Sequence, residues 1–227
     1  MPDTLPPIYL ATAIEAVIRA GDLQMAHFGR QMRVDKKGTI DLVTEIDLQV
    51  EREFRAMIAD RFPSHVVLGE EFSRAEERGQ AAEFRWVLDP IDGTTNFAHG
   101  LPIFCASLAL EINGEAVAGA VYDPNRRELF TAQRDLGAWL NGMPLRVSTA
   151  ETLLDSLLVT GFHYSIHKES EELLALFGEF ITRARAVRRL GSAANPGARP
   201  RSGSSRAGTR GPCDPHEARA RARGRRP

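Results

Sequence analysis

Trp86-Val87-Leu88-Asp89-Pro90-Ile91-Asp92-Gly93-Thr94-Thr95-Asn96-Phe97 is the stretch on which the interpretation of this chain depends. Its first three residues predict a buried strand, and Pro90, which cannot donate to a sheet ladder, is expected to end that strand. Asp92 or Thr94 is a suitable N-cap for a short helix that begins near Gly93. Carboxylates at a strand end suit a hard cation, and backbone N–H groups beside a glycine suit a phosphate. The stretch therefore indicates metal-assisted phosphate chemistry, although Asp-Pro and Asp-Gly are also ordinary turn dipeptides.

The composition is typical of a soluble globular protein. The chain has 227 residues, of which 43% are hydrophobic and 26% charged. No apolar run approaches the ~20 residues that a membrane helix needs. The N-terminus also shows no basic segment of the kind that begins a signal peptide. The two cysteines, Cys105 and Cys213, form no disulfide framework, and Cys105 lies in an apolar run where burial is expected. We expect a cytoplasmic protein.

Two helices are predicted before the central stretch. Apolar residues at helical spacing predict one helix from Ile8 to Phe28, which Gly29 can end. Thr44 is a suitable N-cap for a second helix that runs to Arg61, and Asp47 stands at its capping-box position. On local grounds, Asp47 needs no role beyond favouring the positive end of this helix.

Strands are predicted on both sides of the central stretch. Val66 to Leu68 reads as a buried strand that runs into Gly69-Glu70-Glu71, and a glutamate pair there is unusual for a merely solvated loop. Further along, Asn113-Gly114 is a strong hairpin turn. The predicted strands after the stretch are 103–112, 115–122, 128–132 and 137–142. We expect an antiparallel sheet with the two N-terminal helices covering one face.

The chain divides into three predicted parts. Residues 1–147 form an N-terminal α+β domain that carries the metal site. Residues 148–194 begin a C-terminal α/β domain, because a strand (156–160), a helix (165–180) and a strand (186–190) alternate there. This part ends in Gly191-Ser192-Ala193-Ala194, where a helix could start with open backbone groups.

Residues 195–227 have a different composition from the rest. They contain nine Arg, no Lys and two acidic residues, and no Val, Ile, Leu, Met, Phe, Trp or Tyr. Such a segment cannot bury a core and is predicted to be disordered. It could bind nucleic acid through its arginines, but no basic patch or aromatic platform elsewhere supports that function. Its Arg/Pro/Gly/Ala/Ser bias is also typical of a GC-rich gene read out of frame, which would leave the chain truncated or frameshifted at its C-terminus.

Four motifs together resemble those of the inositol monophosphatase family, the Mg²⁺-dependent, lithium-sensitive sugar phosphatases. They are the central stretch, Asp41-Leu42-Val43-Thr44-x-x-Asp47, Gly69-Glu70-Glu71 and Gly191-Ser192-Ala193-Ala194. The residues after Gly93 favour the inositol monophosphatase branch, and fructose bisphosphatases remain the nearer competitor within the superfamily. The resemblance implies an αβαβα sandwich, an α/β fold of mixed α+β layers, with its second domain incomplete.

The resemblance also implies a two-metal site. In the family pattern, the first Mg²⁺ is held by Glu70, Asp89 and the carbonyl of Ile91, and Asp89 and Asp92 share the second. The family completes the second site with an aspartate from a Trp-Asp pair, but Trp86 and Trp139 are followed here by Val87 and Leu140. The second metal is therefore expected to be one ligand short.

Catalytic and substrate-binding roles are carried over in the same way. The hydroxyl of Thr94 with Asp47 is expected to orient the attacking water, with Glu70 as a further catalytic residue and Lys36 as a nearby cation. The amides of Gly93 and Thr94 are expected to cradle the phosphate. The expected contacts to the remainder of the substrate are Asp92, Gly191, Ser192 and Ala193.

The implied activity is hydrolysis of a phosphate monoester of a small polyol, inositol monophosphate being favoured, by metal-activated water. A homodimer is expected, with neither a membrane nor a nucleic acid as partner. The principal alternative is a catalytically impaired family member that acts as a binding or dimerisation partner. Fructose-1,6-bisphosphatase-type activity and nucleic-acid binding through the basic tail are the remaining alternatives.

Overall fold

The computed structural model describes residues 5–30, 34–36, 42–72, 82–162 and 170–193. Their helices are α1 (Pro7–His27), α2 (Glu45–Arg61), α3 (Thr94–Ala98) and α4 (Ser170–Ile181), with a 3₁₀ turn at Leu153–Asp155. The strands are β1 (Val34–Lys36), β2 (Leu42–Thr44), β3 (Val66–Gly69), β4 (Phe84–Asp92), β5 (Cys105–Ile112), β6 (Glu115–Asp123), β7 (Glu128–Gln133), β8 (Gly137–Leu140), β9 (Met143–Pro144), β10 (Leu157–Thr160) and β11 (Ala186–Arg189). The predicted Arg-rich part, 195–227, lies outside the described residues.

Helices α1 and α2 form as their sequences predict. The hydroxyl of Thr44 accepts hydrogen bonds from the N–H groups of Ile46 and Asp47, and the carboxylate of Asp47 accepts one from the N–H of Thr44. The predicted capping box is therefore confirmed. It satisfies N–H groups that would have no partner within the first turn of α2.

The main sheet has seven strands in the order β3-β4-β5-β6-β7-β8-β9. Strands β5 and β6 are joined by Asn113-Gly114, both at positive φ (53° and 79°), which confirms the predicted hairpin turn. The predicted antiparallel pairing of the strands after the central stretch is confirmed from β5 to β8. Strands β3 and β4, whose pairing was not predicted, run parallel. Val66 of β3 pairs with Arg85 of β4, so the two strands start at the same edge of the sheet.

The hydrophobic core lies between the sheet and the two long helices. Helix α1 packs against β5, β6 and β7, and α2 packs against β3 and β4. Trp86, Phe97, Phe104 and Leu110 are among the largest fully buried side chains. Strand β4 contributes Trp86, Leu88 and Ile91 to this core, so the central stretch is anchored in it.

Strand β4 does not end at Pro90, contrary to the prediction. It continues to Asp92, and its pairing with β5 is irregular between Asp89 and Asp92. A proline inside a sheet is tolerated at such a bulge, because the ladder hydrogen bond that it cannot donate is not needed there.

The C-terminal part contains the expected alternation of strand, helix and strand. Strands β10 and β11 pair in parallel and form a two-stranded sheet. Helix α4 lies between these strands in the chain and packs against β11. The helix begins at Ser170, and the predicted start at residue 165 lies outside the described residues. The division at residues 147 and 148 stays a prediction.

None of the helices in the described ranges is both long and apolar enough to cross a membrane.

Candidate functional site

The irregularity at the end of β4 places the two aspartates of the central stretch. Asp89 pairs with Ser107 and Asp92 with Cys105, so two residues of β4, Pro90 and Ile91, face only one residue of β5 at this point. The carbonyl of Pro90 accepts a hydrogen bond (2.7 Å) from the side-chain amide of Gln24, a buried residue of α1. Helix α1 therefore supports the backbone between the two aspartates. Both aspartates are half-buried.

Helix α3 begins directly after β4, with Gly93 as its N-cap. Gly93 has φ 101°, a left-handed conformation that favours glycine, and no side chain caps the helix. The predicted caps, Asp92 and Thr94, are therefore wrong. The Thr94 hydroxyl instead donates to the carbonyl of Ile91 at 2.9 Å. A Cβ on Gly93 would approach the Ile103 carbonyl to 2.9 Å, so a larger residue would push the backbone segments apart.

The predicted substrate loop lies against Asp92. One carboxylate oxygen of Asp92 accepts hydrogen bonds from the Ser192 hydroxyl (3.2 Å) and from the backbone N–H of Ala193. The thiol of Cys105, which is buried as predicted, donates to the same oxygen at 3.4 Å. The Gly191 carbonyl lies 3.1 Å from where a Cβ of Gly93 would be. The structure thus brings together five of the six residues predicted to bind substrate, and Thr94 follows directly in α3.

Asp47 lies at the start of α2 and is almost completely buried. Its carboxylate accepts from both the N–H (2.7 Å) and the hydroxyl (2.6 Å) of Thr44. Strand β2, which ends at Thr44, packs against α3. Asp47 therefore belongs to the segment beside Thr94, and its role in orienting water stays a prediction. The backbone of Lys36 lies in β1, which pairs with β2.

Glu70 follows β3 on the strand next to β4. The register pairs Gly69, the last residue of β3, with Leu88 of β4, so Glu70 and Asp89 are the residues that directly follow this last pair. The Glu70 side chain is exposed. The parallel pairing, which the sequence did not predict, brings the Gly-Glu-Glu motif to the end of β4 that carries the aspartates.

The donor types at this end of the sheet fit Mg²⁺. Asp89, Asp92, Glu70 and the Ile91 carbonyl offer only oxygen atoms, which hard cations prefer. Within the described parts of the chain, no group of three or more His, Cys, Asp or Glu side chains is arranged to hold a metal. Mg²⁺ usually uses one or two carboxylates with water and phosphate oxygens rather than an all-protein cage. The ligand assignments stay predictions.

Sequence reasoning missed two residues that build this site. Gln24 supports Pro90 across 66 positions of the chain. The Asn96 amide donates to the carbonyls of Ile103 and Leu190, both at 2.8 Å, and so joins α3 to the end of β11. The only signal for Gln24 was a polar side chain on a helix that packs on the sheet, and nothing local indicated the partners of Asn96.

Comparison with known proteins gives consistent relatives. Residues 8–198 match the sequence profile of the inositol monophosphatase family. Over 191 residues the chain is 42% identical to an inositol-1-monophosphatase of Synechocystis, covering 82% of this chain and 64% of that protein. It is 38% identical over 188 residues to the Nus factor SuhB of Pseudomonas aeruginosa, covering 81% of this chain and 69% of the relative. Among solved structures, the extragenic suppressor protein SuhB of Bartonella henselae is similar with a TM-score of 0.74 and 33% identity, over 82% of this chain and 72% of that one. The chain thus spans less than two thirds of the Synechocystis relative.

Proposed function

Because the chain belongs to the inositol monophosphatase family, we propose that it hydrolyses a phosphate monoester of a small polyol, most naturally inositol monophosphate, in an Mg²⁺-dependent reaction. The observation that carries this proposal is the irregular end of β4. It presents Asp89, the Ile91 carbonyl and Asp92 in succession, beside the Glu70 turn on one side and residues 191–193 on the other.

The residues have distinct proposed roles. Glu70, Asp89 and the Ile91 carbonyl would hold the first Mg²⁺, and Asp89 and Asp92 would share the second. Bound Mg²⁺ would supply charge neutralisation at the phosphoryl oxygens and a water of lowered pKa. The Thr94 hydroxyl would hold the attacking water in line with the phosphorus. The buried Asp47, which lies in the segment beside α3, would help to orient the same water.

Recognition of the substrate is assigned to Asp92 and its neighbours. In the structure, one Asp92 oxygen accepts from the Ser192 hydroxyl and the Ala193 N–H. A polyol hydroxyl is also a donor, and could replace either group at this oxygen. The Gly93 and Thr94 amides would contact the phosphate, where the missing side chain of Gly93 allows close approach.

Asp89→Asn tests this proposal most directly. Asp89 is assigned to both metals, so the Asn variant should lose Mg²⁺-dependent phosphate release from inositol 1-phosphate by at least about 100-fold. Release is measured with the 227-residue chain in Mg²⁺, with chelator and with added Li⁺, which should inhibit. Asp135→Asn, an exposed turn residue, is the matched control and should retain wild-type activity.

Unchanged turnover in Asp89→Asn, with the fold intact, would contradict the metal assignment.

A second candidate function is favoured by the 38% identity to a Nus factor. It is binding of a protein partner, including a second copy of the chain, without hydrolysis. Absence of phosphate release at every Mg²⁺ concentration from a folded chain would support this second candidate.

A further inference from the structure

Glu51 is a charged residue on the buried face of α2. It shares that face with Asp47, Val50, Phe54 and Ile58, and its side chain is 0% exposed. A buried carboxylate is costly unless it is paired and hydrogen-bonded. One partner is Arg55, one helical turn later, whose Nε and Nη2 lie 2.9 Å and 2.8 Å from the Glu51 Oε1.

The other partners of Glu51 lie outside its helix. The backbone N–H of Glu71 donates to Oε2 at 2.8 Å, and that of Phe72 donates to Oε1 at 3.1 Å. Both belong to the turn that follows β3. The carboxylate therefore holds the two residues immediately after Glu70, across 20 positions of the chain.

Gly69 packs against the same carboxylate from the other side of Glu70. A Cβ built on Gly69 would overlap the carboxyl carbon and both oxygens of Glu51. The carboxylate thus occupies the space that any side chain at position 69 would need. Glu51 constrains residues 69, 71 and 72, and these enclose Glu70.

We infer that Glu51 is a positioning residue for Glu70. By fixing the backbone on both sides of Glu70, it holds this residue at the end of β3, at the position adjacent to Asp89 on β4. Glu51 itself has no exposed surface with which to reach a metal or a substrate. The inference rests on the proposed function, because Glu70 acts as a ligand only if the site binds Mg²⁺.

Glu51→Gln is the variant that tests this inference. A Gln keeps the shape of the side chain, but its amide nitrogen cannot accept a backbone N–H. The Kd for Mg²⁺, measured by calorimetry on the 227-residue chain, should rise about 10- to 100-fold, as for other residues that orient metal ligands. Hydrolysis should recover at saturating Mg²⁺, which a merely structural defect would not allow. Glu53→Gln makes the same chemical change at an exposed position of the same helix and should leave the Kd unchanged.

A double-mutant cycle distinguishes positioning from general stabilisation. If Glu51 acts through Glu70, adding Glu51→Gln to a Glu70→Gln chain should not weaken Mg²⁺ binding further. Additive losses would overturn the inference. Should Glu51→Gln fail to fold, Glu51→Asp keeps the charge for Arg55 but retracts the carboxylate from the turn, and should raise the Kd in the same way.

Amide exchange gives a readout that does not depend on metal. In metal-free protein, the N–H groups of Glu71 and Phe72 should exchange faster in Glu51→Gln than in wild type, while those of β5 should not change. A wild-type chain that binds Mg²⁺ and hydrolyses substrate, with an unaltered Kd in Glu51→Gln, overturns the inference and leaves the proposed function standing. A wild-type chain that binds no Mg²⁺ overturns both.

Discussion

At the residue scale, the Thr94 hydroxyl has a proposed catalytic role and an observed structural contact. It donates to the Ile91 carbonyl at 2.9 Å, and this carbonyl is itself a proposed metal ligand. The same oxygen atom has lone pairs with which it could accept a hydrogen bond from water. Structure alone therefore allows a catalytic role and a structural one, and kinetics can separate them.

We predict that Thr94→Ala lowers kcat by roughly 100-fold, because a positioned hydrogen-bonding group contributes about that much or more to proton transfer from water. The Kd for Mg²⁺ should change little, since the Ile91 carbonyl stays in place when its donor is removed. Kinetics and calorimetric titration of the same variant measure the two effects, and Thr94→Ser, which keeps the hydroxyl, is the control. A loss of metal affinity as large as the loss of kcat would indicate that the hydroxyl only supports the carbonyl.

The protonation of His65 affects the stability of the fold, and this residue lies beside the first residues of β4. Its ring stacks on those of Phe62 (4.8 Å between centroids) and Phe84 (4.4 Å). The indole N–H of Trp86 donates to His65 Nδ1 at 3.0 Å, so Nδ1 must be unprotonated in the fold. Burial lowers the pKa of His65, and the negative charge of Glu83 opposes this only partly.

The lowered pKa predicts that the protein is less stable in mild acid. Between the folded pKa and the ordinary value of about 6.5, the unfolded chain binds more protons than the folded one, so the free energy of unfolding falls as the pH falls. The contribution is complete above about pH 6.5. Urea unfolding from about pH 7 down to about pH 5 should show a steeper loss in wild type than in His65→Gln. Equal slopes would mean that His65 titrates alike in both states.

At the element scale, local patterns predicted helices and hairpins well and predicted long-range pairing poorly. The capping box at Thr44 and the turn at Asn113-Gly114 were predictable because each is determined within four residues of sequence. The passage of β4 through Pro90 was not, because it depends on the irregular register with β5 and on Gln24 of α1. The parallel pairing of β3 and β4 was missed for the same reason.

The candidate site shows the same division between local and distant information. The family motifs identified Asp89, Asp92 and Glu70, but not what holds them. Glu51 could have been noticed, because it stands on the apolar stripe of α2 among Val50, Phe54 and Ile58. A Glu with an Arg at i+4, as Glu51 has in Arg55, is however also typical of an ordinary pair on a helix surface. The turn that Glu51 holds begins at Glu70, after the end of β3, and helical periodicity carries no signal for a contact at that distance along the chain.

At the scale of the whole molecule, the buried core and the second part of the site belong to different regions of the chain. Every residue of the hydrophobic core cluster lies between Ala13 and Ala120. Among the described residues after Leu140, none is buried, and Leu154, Leu157 and Leu176 are more than half exposed. The 191–193 loop nevertheless contacts Asp92, and Asn96 holds the Leu190 carbonyl. One side of the candidate site is therefore supported by the buried core, and the other is held by a few polar contacts.

This difference predicts two levels of protection against hydrogen exchange. Amides of β4, β5 and β6 should exchange only through global unfolding, because they lie in the packed core, whereas amides of β10, β11 and α4 should exchange through local opening of lower free energy. Native-state exchange at increasing low urea concentrations measures both. The first group should show a strong urea dependence, and the second a weak one with exchange at least about tenfold faster. If the two groups exchanged along a single urea-dependent curve, the C-terminal part would unfold only together with the core. The few polar contacts of Asn96 and Asp92 would then be enough to couple the unfolding of the two parts.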